Sequence, residues 1–124
     1  MRSDLAVLQG SWEQVAFERD GSPDLPDDYG APGLLTTFHR SHFSVRAANG
    51  TLLLEGEFEL DAFTMPKAVD WIDATGPDAD KRLLAIYKLE DDLFVFIAAE
   101  PGAPRPTQFR TAPGQVMRSF VRRG

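Results

Sequence analysis

Apolar and polar residues alternate along most of this chain, and nowhere do they hold the 3.6-residue period of a long helix. The cleanest case is Leu54-Glu55-Gly56-Glu57-Phe58-Glu59-Leu60, where apolar or small residues take every second place and glutamates fill the rest. Side chains of a strand point alternately to its two faces, so this run predicts one buried face and one wet face. Gly56 in mid-strand predicts a bend or bulge. Further strands are expected at residues 11–19, 34–38, 42–47, 68–75, 82–89, 93–99 and 115–123. The separators carry turn chemistry: Asp20-Gly21-Ser22-Pro23, His39-Arg40-Ser41, Gly76-Pro77-Asp78 and Glu90-Asp91-Asp92. Ala48-Asn49-Gly50 is a hairpin signal, because Asn-Gly accepts the positive φ angles of tight turns. Residues 61–67 form a loop, and residues 101–106 are stiffened by proline. Residues 24–33 hold at most one helical turn, around Asp27-Asp28-Tyr29, and are placed to cover one mouth of a barrel.

Eight or nine short strands and no substantial helix predict an all-β fold: a single up-and-down antiparallel β-barrel over residues 1–124. Closure is suggested by the two ends of the chain. Trp12 lies near the start of the first strand and Arg122 near the end of the last, and an indole face attracts a guanidinium. The two meet only if the sheet curls until its last strand reaches its first.

The chain resembles the small lipocalin-like domains of bacterial proteins. The likeness rests on five blocks in order: Leu8-Gln9-Gly10-Ser11-Trp12, Gly56-Glu57-Phe58-Glu59-Leu60-Asp61, Pro66-Lys67-Ala68-Val69-Asp70, Ile86-Tyr87-Lys88-Leu89 and Arg105-Pro106-Thr107-Gln108-Phe109. The resemblance implies a calycin-type barrel with a calyx, and no single activity. This chain departs from the family pattern at Arg40-Ser41-His42-Phe43-Ser44-Val45, and it adds Trp71, Phe94 and Phe96.

An eight-stranded barrel has room inside for its own side chains or for one small ligand. Trp71, Tyr87, Phe94, Phe96, Phe58 and Phe43 are the candidate lining. Each is either plain core or part of a binding surface, and the indole and phenol carry polar groups that need a partner when buried. Strand parity constrains the rest. An inward Trp71 takes Val69 and Asp73 inward and turns Asp70 out. An inward Arg118 takes Val116, Phe120 and Arg122 with it. Asp73 facing Arg118 inside the barrel is costly unless they pair or meet a polar ligand. The expected ligand contacts are Trp71, Tyr87, Phe94, Phe96, Arg118, Asp73, Phe58 and Phe43, with Trp12 and Arg122 closing the barrel.

The remaining candidates read as structure. Glu55, Glu57 and Glu59 fit a solvated outer face. Arg118, Arg122 and Arg123 fit a strand end with the Trp12 partner, more than a grip on phosphate or carboxylate. His39 and His42 flank a turn without a third ligand, so no metal is expected. There is no nucleophile elbow, phosphate loop or dinucleotide fingerprint, and no cofactor is expected.

A net charge of −6 argues against nucleic acid as a partner. No apolar run is long enough to span a bilayer as a helix, no secretory leader is expected, and cysteine is absent. These features place the chain in the cytoplasm, without a membrane partner, as a monomer or homodimer. The leading expectation is therefore a barrel that binds a small hydrophobic or amphipathic molecule in its calyx. Two rivals accompany it: a cyclase-type enzyme of natural-product assembly that folds a flexible substrate in the cavity, and a protein-interaction or inhibitor module using an acidic outer face. The catalytic residues of such an enzyme are unassigned.

Overall fold

The computed structural model describes residues 3–25, 31–76 and 78–124. Helix α1 (Asp4–Leu8) precedes nine strands: β1 (Gly10–Arg19), β2 (Ser22–Pro23), β3 (Leu35–His39), β4 (His42–Arg46), β5 (Leu52–Asp61), β6 (Lys67–Asp73), β7 (Arg82–Leu89), β8 (Leu93–Ala99) and β9 (Gln115–Arg122). Each of β3 to β9 pairs antiparallel with the next, β1 pairs with β3, and β9 returns to β1. The result is a closed eight-stranded up-and-down barrel, with the two-residue β2 as an extra hairpin arm on β1. Closure removes the unpaired edges an open sheet leaves.

The seam between β1 and β9 shows how the sequence satisfies closure. Trp12 is opposite Arg122 and Phe17 opposite Arg118, with a register shift between Gln14 and Ala16. Trp12 and Phe17 are five residues apart, so regular alternation puts them on opposite faces. A β-bulge at Val15 restores them to the same inward face and turns Val15 out to solvent.

Several expectations are refined. The lead-in to β1 is the short helix α1, capped by the Ser3 hydroxyl, which accepts from Ala6 N. Asp20-Gly21 is the turn of a hairpin, because both residues have positive φ and Ser22-Pro23 already pairs with β1. Gly56 is not a bulge: it pairs in register with Phe43 and Asp73. Glycine is needed because a Cβ there would lie 2.2 Å from the Ile72 carbonyl oxygen and 2.9 Å from the Phe43 ring. The irregularity falls instead between β4 and the start of β5, where Val45 faces Leu54 and Arg46 faces Leu52. The expected helical turn around Asp27-Asp28-Tyr29 lies outside the described residues.

The strap of residues 101–113 crosses the outside of the sheet. Arg105 pairs with Asp70 at 2.7 Å and donates to the carbonyls of Ala85 and Val69. Ile86 shares a groove with Arg105 and Pro106, which is why this outward residue is buried. Asp70 also meets Arg82 at 2.7 Å, so it faces out as parity requires, while Lys67 reaches Asp4.

Candidate functional site

The barrel interior divides into a sealed half and an open half. The sealed half lies at the end marked by Gly10 and the β3–β4, β5–β6 and β7–β8 turns. Helix α1 closes it. Leu8 is fully buried and its carbonyl accepts from the Trp12 indole at 2.8 Å. Asp4 accepts from the Tyr87 hydroxyl at 2.7 Å and from Lys67 at 2.9 Å. Burial works against the Asp4 charge, and the hydrogen bonds from Tyr87 and Lys67 outweigh it, holding the carboxyl below its ordinary value. Burial, followed by the Asp4 bond and charge, keeps the Tyr87 phenol well above its usual range. Arg122 lies over the Trp12 ring at 4.3 Å. It also donates to the carbonyls of Val7, Gln9 and Asp91, with the Gln9 bond at 2.8 Å. Trp12, Phe58, Tyr87 and Phe94 pack here with at most 1% of their surface exposed.

The open half is a cavity of about 440 Å³ at the opposite end of the strands. Its apolar wall comprises Phe38, Phe43, Trp71, Phe96 and Phe120, with Leu54, Leu83, Ala98 and Val116 above them. Trp71 is the hub. Its ring centroid is 4.8 Å from Phe96, 5.5 Å from Phe43 and 6.1 Å from Phe38, in the tilted and edge-to-face arrangements that ring quadrupoles favour. The Trp71 indole N–H is buried without a hydrogen-bond partner among the described residues. An orphaned buried donor of this kind is uncommon.

Parity delivers the polar part of the wall. Asp73 stands two residues beyond Trp71 on β6, and Arg118 stands opposite Phe96 on β9. Both line the cavity. Asp73 is only 8% exposed, and no side-chain hydrogen bond or ion pair to its carboxylate is found among the described residues. Burial, then the nearby Asp78 charge, pushes its pKa up to about 6 against the pull of Arg118. Arg118 donates to Gln14 Oε1 at 3.0 Å and stacks on the Phe17 ring at 4.7 Å.

Of the residues expected to contact a ligand, Trp71, Phe96, Phe43, Asp73 and Arg118 thus come together around one cavity. Tyr87, Phe94 and Phe58 lie beneath it in the sealed half and do not line it, although Phe58 and Phe94 pack against the wall residues Trp71 and Phe96 from below. Trp12 and Arg122 meet across the β1–β9 seam. Phe38, Leu54 and Leu83 also line the cavity but were not expected there. Their signal was the same period-two alternation, Phe38 with Thr36 on β3 and Leu83 opposite Trp71 on β7. The mouth residues Asp20, Asp78 and Glu100 sit in turns, where no periodicity points inward. The outward glutamates form surface contacts, His42 with Glu55 and Arg82 with Glu59. No cluster of three or more potential metal ligands occurs among the described residues, and no helix there is long and apolar enough to cross a membrane.

Comparison with protein-family models, curated proteins and solved structures returns no match to this chain. The reading of its site therefore rests on the residues themselves.

Proposed function

We propose that this chain is a lipocalin-like barrel that takes a small, largely apolar or amphipathic molecule into its open half. The observation that carries this reading is the division of the interior. One half is packed solid, while the other keeps a ring-lined cavity of about 440 Å³ in a chain with enough large side chains to fill it. That volume is in the range of small-molecule sites, which are typically mostly apolar with a few polar groups to fix orientation. Asp73, Arg118 and Thr36 are the polar groups on this wall. The open half also weighs against a pure interaction module, for which a filled interior is expected.

Tryptophan emission tests the reading, because the two tryptophans occupy different halves. Titration with naphthalene-based apolar probes should shift the emission of the wild-type chain and of Trp12→Phe, but not of Trp71→Phe. Ala98→Phe, which places a ring in the cavity, should weaken binding at least tenfold while leaving the circular dichroism spectrum unchanged. Saturable binding that ignores both Trp71→Phe and Ala98→Phe would place the ligand elsewhere and end this reading.

A further inference from the structure

Resting on that reading of the cavity, the charges around it narrow the class of ligand. Among the described residues, four carboxylates line the cavity and its mouth (Asp20, Asp73, Asp78 and Glu100), against two guanidiniums, Arg19 and Arg118. The two cations are already engaged. Arg19 sits 3.5 Å from Asp24 and 5.3 Å from the centre of the Phe17 ring, and Arg118 is held by Gln14 and the other contact to Phe17. Asp20 is partly satisfied, since its Oδ1 accepts from Gly114 N at 2.8 Å. Asp73 is different. It is more than nine-tenths buried, on the wall of the cavity, beside Trp71 along the same strand face, with no hydrogen bond to its carboxylate among the described residues.

A buried carboxylate without a partner is a costly arrangement for an apolar cavity. A cation brought in by a ligand relieves that cost directly. Trp71, Phe43, Phe96, Phe38 and Phe120 suit the same guest, because aromatic faces attract a cation and their area covers an apolar body. A carboxylate ligand would meet the opposite field, and the two cations that could attract it, Arg19 and Arg118, already hold other contacts. We propose that the cavity binds a lipophilic ammonium: an aromatic or aliphatic body with a protonated amine that pairs with Asp73.

Three matched probes separate this proposal from the reading beneath it: 2-(2-naphthyl)ethylammonium, 2-(2-naphthyl)ethanol and 2-naphthaleneacetate. They share a ring system and differ in the charge of the tail. Isothermal titration at pH 7.5 and low salt should show the ammonium binding at least tenfold more tightly than the alcohol, with the carboxylate weakest. In Asp73→Asn the ammonium's advantage should fall to threefold or less, while the alcohol binds as before. Lowering the pH through about 6 should erode the ammonium's advantage in the wild-type chain, as Asp73 takes up a proton amid Asp20, Asp78, Glu100, Arg19 and Arg118. If the alcohol or the carboxylate binds as tightly as the ammonium, or if Asp73→Asn keeps the advantage, the cation proposal is overturned and the cavity reading stands. If none of the three probes binds, the cavity reading fails and takes the proposal with it.

Discussion

Removing the Arg122 side chain should loosen the whole sealed half. Its guanidinium reaches the carbonyls of Val7 and Gln9, which tie α1 to the seam, and the carbonyl of Asp91 in the β7–β8 turn. It also covers the Trp12 ring at 4.3 Å. A hydrogen bond from a charged donor contributes about 1.5–3 kcal/mol. The Asp91 carbonyl is near solvent and recovers a water partner, so only the two sheltered carbonyls are counted, each at the lower figure. Cation–π contact at a partly exposed site adds about 0.5–1 kcal/mol. Arg122→Ala should therefore cost about 3.5–4 kcal/mol. At roughly 2.1 cal/mol/K per residue, unfolding of a 124-residue domain shifts by about 4 °C for each kcal/mol, so the melting temperature should fall by roughly 14–16 °C. Arg122→Lys keeps the charge but loses the planar fork, and should recover less than half of the loss. Urea unfolding followed by tryptophan emission measures both variants, and hydrogen exchange should locate the first opening in α1 and the start of β1. A cost under about 1 kcal/mol for Arg122→Ala would refute the view that this residue clasps the barrel shut.

Two further outcomes test the packing and the charge inside. Gly56→Ala should cost about 2–3 kcal/mol in urea unfolding, because the new methyl group meets the Ile72 carbonyl oxygen and the Phe43 ring with no room to move away; a loss below about 0.5 kcal/mol would show that β5 and β6 are less tightly apposed than described. Asp73 has its folded pKa raised from 3.8 to about 6, so the native state binds the proton more tightly and stability falls as pH rises from about 4 to 6. The ionised carboxyl then costs the fold on the order of 3 kcal/mol above that window. Asp73→Asn should remove the slope and be the more stable chain at pH 7.5, and parallel wild-type and variant stability curves across that window would refute the assignment.

The closed barrel was legible in the sequence because closure leaves a two-residue trace. Trp12 and Arg122 make sense as a pair only in a sheet whose last strand meets its first, and the register places them opposite one another. The inward set around Trp71 was legible for the same kind of reason, since parity is rigid within one unbroken strand: Val69, Trp71 and Asp73 all face in. Parity was not enough where the strand breaks step. The bulge at Val15 brings Phe17 onto the face of Trp12, and nothing in the alternation announces it. The height of a residue along the barrel axis was equally hidden. Trp71 and Phe94 read alike in sequence, yet one lines the cavity and the other lies in the packed half, because height depends on the stagger between strands. The strap escaped too. Arg105 sits in a proline-rich stretch without periodicity, and its role depends on carbonyls from two other strands.

The costly groups of this fold are not scattered. At the sealed end the large buried polar groups of the described residues are answered: the Trp12 N–H by Leu8, the Tyr87 hydroxyl by Asp4, the Arg122 fork by three carbonyls. At the open end the Trp71 N–H has no partner among the described residues, and the Asp73 carboxylate is buried beside another carboxylate. Both lie on β6, two residues apart, and both line the same cavity. A leucine or valine at either position would pack this wall without a desolvation cost, as Val69 does one step further down the strand. Unanswered polarity concentrated at the single open end is what a binding wall requires and what stability alone would remove, since natural folds keep locally unfavourable residues chiefly where function uses them. The same contrast explains why the clasp is built at the other end. With α1, Arg122 and the Asp4–Tyr87 bond holding the barrel from below, the upper wall can carry a donor and a carboxylate that find no partner among the described residues while the barrel stays closed.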